Sequence, residues 1–121
     1  MVLVDKKDEG KKTRLCIDYR KLNEVTKTEH YPMPRFADIE ERLLKAKFFT
    51  ILDVSQGFHH IKIDPDDRYK TGFVTKYDHY EWNVLPFGLK NAPMIFQRIL
   101  WNILKKHDLN EFTHNYIDVM Q

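Results

Sequence analysis

Leu85-Pro86-Phe87-Gly88-Leu89-Lys90-Asn91-Ala92-Pro93-Met94-Ile95-Phe96-Gln97 is the most informative stretch of the 121-residue chain. Its first four residues read as a loop, in which Gly88 permits close backbone approach. Pro93 sits where the first turn of a helix tolerates a missing N–H. Phe96, Ile99, Leu100, Ile103 and Leu104 then recur at helical spacing, which predicts a helix to about His107 with that stripe in the core. Lys105, Lys106 and His107 suit a helix C-terminus.

Upstream, Phe48-Phe49-Thr50-Ile51-Leu52-Asp53-Val54 is a nearly continuous apolar run, which predicts a central strand covered on both faces. Ser55-Gln56-Gly57 turns the chain, and His59-His60-Ile61-Lys62-Ile63 alternates as an antiparallel return strand would. Residues 72–75 and 80–84 read as a hairpin across Lys76-Tyr77-Asp78-His79. Residues 1–4 and 14–19 read as two further strands, joined by a charged turn containing Gly10. Tyr31-Pro32-Met33-Pro34 is extended, because each proline biases its predecessor away from helix. Asp38 is placed to cap a helix through about Ala46, with Ile39, Leu43 and Leu44 on one face. The sum is an α+β fold, an antiparallel sheet with helices packed on one face.

Composition narrows the function classes. A chain of this length can bury about two-thirds of its unfolded surface. Its 42% hydrophobic and 13% aromatic content are those of a globular protein. The net charge of +2 neither demands nor excludes a local basic groove. Cys16 is the single cysteine, which removes any disulfide framework and any cysteine-based zinc site. His59 and His60 are adjacent, and the six histidines show no His-x-x-x-His spacing. No apolar run reaches the ~18 residues of a membrane span, and the N-terminus turns charged at Asp5. The expected setting is intracellular, cytoplasmic or nuclear.

Two carboxylates close strand-like segments far apart in the sequence: Asp53, and Asp118 in Tyr116-Ile117-Asp118. Acids from distant segments, each at a strand end, build divalent-metal sites for phosphoryl transfer. A strand-terminal Asp that caps a turn is the plainer alternative for Asp53, and a polar residue near a terminus the plainer one for Asp118.

The order of segments resembles the reverse transcriptase domain of gypsy-type LTR retrotransposon Pol polyproteins. Arg14-Leu15-Cys16-Ile17-Asp18-Tyr19-Arg20-Lys21-Leu22-Asn23 is similar to its fingers motif. Residues 48–59 are similar to the first palm motif, and Lys70-Thr71-Gly72-Phe73 and residues 85–97 to the next two. The resemblance implies a partial domain. Residues 1–47 would hold a fingers-like segment and first helix, and 48–121 a palm-like segment with a fingers-type hairpin insertion. No residues remain for a thumb, which is therefore expected to be absent.

It also implies an activity, RNA-directed DNA polymerisation. An RNA or DNA template–primer and dNTPs are the implied partners, with Mg²⁺, or Mn²⁺ in its place, as cofactor. Asp53, Asp118 and the Val54 backbone carbonyl are the implied metal ligands. Phe58 would close the floor beneath the sugar and reject a ribose 2′-hydroxyl. Arg14 and Lys6 (or Lys7) would hold the triphosphate, and Phe87 and Gly88 would line the nucleotide pocket. At Val119 the sequence departs from the pattern, which has a second Asp there. Two readings follow: an active polymerase, or a catalytically inactive remnant with at most weak nucleic-acid binding.

Overall fold

The computed structural model describes residues 2–5, 13–44, 47, 48, 50–111, 113, 115, 116, 119 and 120. The chain divides into two compact units, one of residues 1–28 and 58–92, the other of 29–57 and 93–121. Every strand pair among the described residues is antiparallel, and the fold class is α+β as expected.

The first unit opens with strands β1 (Val2–Asp5) and β2 (Thr13–Cys16), in register at Leu3 and Leu15. The expected turn between them, with Lys6 and Gly10, lies outside the described residues. Helix α1 (Arg20–Val25) follows. Just before it, the Asp18 carboxylate accepts from the Arg20 guanidinium at 2.6 Å and from its backbone N–H at 3.1 Å. Those bonds hold the Asp18 carboxyl well below the usual carboxylate range. The helix stops at Thr26, whose extended backbone cannot continue it.

Tyr19 anchors the core of this unit. Its ring is buried and its hydroxyl donates to the Thr71 carbonyl at 2.9 Å. Burial pushes its pKa up, tempered by the neighbouring Trp82. Thr71 is itself buried. Its hydroxyl donates to the Arg68 carbonyl at 2.7 Å and accepts the Trp82 backbone N–H at 2.9 Å, so both hydroxyl functions are used. Thr71 ends a 3₁₀ helix, Pro65–Thr71, whose start is capped by the Asp64 side chain. Strands β4 (Phe73–Val74) and β5 (His79–Tyr80) form the expected hairpin, with Phe73 paired and stacked on Tyr80 at 5.8 Å.

One expected strand is absent. Residues 57–60 form a 3₁₀ helix, and only Lys62 makes a bridge, to Val84. Five alternating residues do not by themselves distinguish a strand from a tight turn followed by one bridge.

In the second unit, α2 (Phe36–Leu43) begins two residues beyond Pro34. Asp38 lies within its first turn rather than at the cap, where its charge still suits the helix N-terminus. Ile39 is buried as expected, but Leu44 stands 86% exposed just past the helix end, so the expected apolar face is one residue too long. The expected end near Ala46 lies outside the described residues.

The larger sheet has strand order β3 (Leu52–Asp53), β7 (Val119–Met120), β6 (Asn115–Tyr116). The apolar run therefore contributes an edge strand of two residues and not a covered central one. Phe48 is 92% exposed, and Ile51 and Leu52 also stand open. Apolar composition marked residues 48–54 as fit for burial, but among the described residues β3 pairs on one side only, with β7.

Helix α3 (Ala92–Lys106) carries Pro93 in its first turn. Phe96, Gln97 and Leu104 are buried, Ile99 and Leu100 are half-buried, and Ile103 is half-exposed at the stripe's edge. Asp108 takes a left-handed φ of 56°, and the Leu109 N–H returns to the Leu104 carbonyl at 2.9 Å, which closes the helix. Arg98 pairs with Glu29, joining this helix to the segment before α2. No helix among the described residues is long and apolar enough to cross a membrane.

Candidate nucleotide and metal site

The nucleotide-facing candidates of the first unit meet as an aromatic wall. Leu85 and Pro86 are buried, while Phe87 and Gly88 reach the surface. The Leu85 N–H donates to the Ile61 carbonyl at 2.8 Å and the Ile63 N–H to the Asn83 carbonyl at 3.0 Å. These bonds hold the loop against the segment that carries Phe58 and His59. The Phe87 ring then packs on Phe58 (centroids 5.3 Å, tilted) and edge-on against His59 (5.3 Å). His59 stacks in turn on Trp82 at 5.8 Å. Offset and edge-to-face ring pairs of this kind add rigidity beyond simple burial.

Gly88 adopts φ +94°. A Cβ there would meet the Ile17 carbonyl at 3.5 Å and Tyr19 Cδ2 at 3.7 Å, which is ordinary contact. The glycine is required by backbone handedness, not by the tight approach expected from the sequence. Arg14 lies on β2, paired with Val4. Lys6 lies outside the described residues.

The metal-binding candidates lie in the second unit. Asp53 ends β3 with its side chain exposed, and its register partner across the sheet is Val119. Tyr116 pairs with Val119 from the other side, so β7 runs between β3 and β6. The two residues between Tyr116 and Val119 include Asp118, which lies outside the described residues. The Val54 carbonyl accepts the Gly57 N–H at 3.1 Å and keeps a second lone pair.

Two hard divalent ions need several oxygen donors shared between them. The described residues supply Asp53 and the Val54 carbonyl, and the position paired with Asp53 carries a hydrocarbon. Among the described residues no group of three His, Cys, Asp or Glu side chains is placed to hold a metal. Asp118, the other expected carboxylate, lies outside the described residues, so the described part of the expected donor set is Asp53 and the Val54 carbonyl.

Residues 4–120 match the family model described as reverse transcriptase (RNA-dependent DNA polymerase). The chain belongs to this family. It is 47% identical over 107 residues to the retrovirus-related Pol polyprotein from transposon 297 of Drosophila melanogaster, covering 88% of this chain and 10% of that protein. An RNA-directed DNA polymerase homolog of Oenothera berteroana is 42% identical over 105 residues, covering 87% of this chain and 73% of that one. Among solved structures, the foamy viral protease-reverse transcriptase in complex with double-stranded DNA matches with a TM-score of 0.82. Its identity is 26%, over 98% of this chain and 20% of that one. The chain thus spans about a tenth of the transposon Pol polyprotein and a fifth of the viral enzyme.

Sequence reasoning did not single out the side chains that tie this reverse-transcriptase loop down. Asn23 donates through Nδ2 to the Gly88 carbonyl and accepts the Lys90 N–H, both at 2.8 Å. Asn91 Nδ2 donates to the Lys27 carbonyl at 2.8 Å. A signal for Asn23 did exist: asparagine is a poor helix former, yet it sits inside a six-residue helix.

Proposed function

We propose that this chain is a fingers–palm segment of a gypsy-type retroelement reverse transcriptase that has kept its nucleotide-facing wall and lost two-metal catalysis. The ancestral reaction adds dNTPs to a primer on an RNA or DNA template, with Mg²⁺ or Mn²⁺ supplying Lewis acidity at the phosphates. The carrying observation is the register of Asp53 with Val119, because the residue paired with Asp53 is a valine and brings no side-chain oxygen donor of its own. Loss of one preorganised electrostatic group costs roughly 10²–10³ in rate.

The nucleotide contacts are assigned residue by residue. Phe58 carries sugar discrimination, Phe87 and Gly88 line the base and sugar side, and Arg14 and Lys6 take the triphosphate. Arg14 suits this role because guanidinium grips phosphate bidentately. The ring contact between Phe58 and Phe87 supports a wall built from both residues. The similarity to the DNA-bound foamy viral enzyme supports contact with template–primer.

The competing reading, a working polymerase, is favoured by the retained and exposed Asp53 carboxylate. Primer extension with Mg²⁺ or Mn²⁺ separates the two. The expected result is incorporation at background for the parent and no further fall in Asp53→Ala. Incorporation by the parent that vanishes in Asp53→Ala overturns the proposal. Val119→Asp is expected to tighten Mn²⁺ binding at least roughly tenfold, because carboxylate number sets affinity for such ions.

A further inference from the structure

We infer that Asn23, on helix α1, is a positioning residue for sugar discrimination, acting through the Gly88 loop on the Phe87–Phe58 wall. The inference rests on the nucleotide-pocket reading above. A side-chain amide has one donor end and one acceptor end. Here both ends are used on the same backbone segment, the donor on the Gly88 carbonyl and the acceptor on the Lys90 N–H, each at 2.8 Å. Flipping the amide would set NH₂ against N–H and oxygen against oxygen, so one orientation alone satisfies both partners.

The clamp holds the peptides on both sides of Leu89. It does so next to the one residue of the loop with left-handed backbone, Gly88 at φ +94°. Two residues of the same segment reach back to the chain just past α1: Lys90 Nζ to the Thr26 carbonyl at 3.4 Å and Asn91 to the Lys27 carbonyl. These are side-chain ties from the loop outward. Asn23 instead bonds with its side chain to the loop's own backbone from outside it.

Phe87 immediately precedes the clamped glycine, so the clamp sets the direction in which its ring leaves the backbone. That ring rests on Phe58 at 5.3 Å and on His59 at 5.3 Å. A slackened loop lets the wall yield to an added 2′-hydroxyl. The result is poorer discrimination rather than uniform weakening. Asparagine is suited to this task. Aspartate keeps the acceptor for Lys90 but has no donor for Gly88, and glutamine is one methylene too long.

The test compares dATP with ATP, which differ only at the 2′ position, by calorimetric titration of the whole chain with Mg²⁺. The parent is expected to favour dATP. Asn23→Ala and Asn23→Asp are each expected to narrow the dATP-to-ATP affinity ratio about 5- to 10-fold, the value of roughly one hydrogen bond. Amide hydrogen exchange supplies a second readout. The Lys90 amide should be protected in the parent, lose protection in Asn23→Ala, and keep it in Asn23→Asp, which covers the case where the alanine variant does not fold. A ratio unchanged in both variants, or both affinities falling together with the ratio preserved, overturns the inference. If the parent binds neither nucleotide, the pocket reading fails. Lys90 exchange then decides the positioning claim separately, and equal protection in parent and Asn23→Ala overturns that too.

Discussion

The loop at residues 85–91 and the run at residues 48–54 are both family segments, yet the chain treats them differently. The loop begins on two buried residues, is bonded to the Ile61 segment, and is gripped by α1 through both ends of one amide. The run ends in a two-residue edge strand, with Phe48, Ile51 and Leu52 open. Hydrogen bonds that close over long sequence separations fix side-chain direction, as the aromatic wall requires. A short ladder fixes only register, and here the register sets valine opposite aspartate. The proposed reading follows from this contrast: a nucleotide-facing wall held firmly in place, and a metal-ligand strand that is only two residues long.

The contrast can be broken at its packed points. Phe96→Ala should have the largest effect, about 3–5 kcal/mol by urea unfolding, because a buried ring leaves a cavity. A cost below about 1 kcal/mol would mean that the α3 core does not hold the second unit. Gly57→Ala should cost about 1–3 kcal/mol through overpacking, since its Cβ would lie 2.7 Å from Phe96 Cζ. Combining it with Phe96→Ala should relieve that clash, and a strictly additive double mutant would contradict the contact.

Gly88→Ala sharpens the comparison, because its strain comes from φ +94° and not from crowding. It should cost about 1–2 kcal/mol. Phe96→Ala should not rescue it.

Tyr19→Phe should have the smallest effect, about 1 kcal/mol for the lost bond to Thr71. Its pH dependence has a definite sign. Burial raises the Tyr19 pKa above 10.0, so the folded state holds this proton longer than the unfolded one. Its contribution is intact below pH 10.0 and is lost as pH rises through the folded value. Thermal midpoints of Tyr19→Phe should therefore fall less steeply above pH 10.0 than those of the parent. Equal slopes would count against a buried hydroxyl.

What could be read from the sequence follows how local each signal is. Pro93 and the stripe from Phe96 to Leu104 marked α3 because a helix carries its own hydrogen bonds and repeats at a fixed period. The loop at 85–88 was legible from proline and glycine alone. Residues 48–54 misled because apolar content reports fitness for burial, whereas burial itself depends on what pairs alongside. Residues 59–63 misled because five alternating residues also fit a 3₁₀ turn leading into one bridge. In the candidate site, Asp53, Phe58, Phe87 and Gly88 were singled out by motif. Asn23 was not singled out, because its importance lies in a partner 65 residues away.

That separation has a consequence for the chain as it is made. At roughly 5–20 residues per second, residue 88 follows residue 23 by roughly 3–13 s. For that interval the Asn23 amide lacks both of its folded-state partners, and Tyr19 waits for Thr71, 52 residues further on. Residues 1–28 can complete their compact unit only once residues 58–92 have been made. The order of synthesis therefore leaves the N-terminal strands and α1 as late joiners, more open to proteases and chaperones on the ribosome than their place in the finished fold suggests.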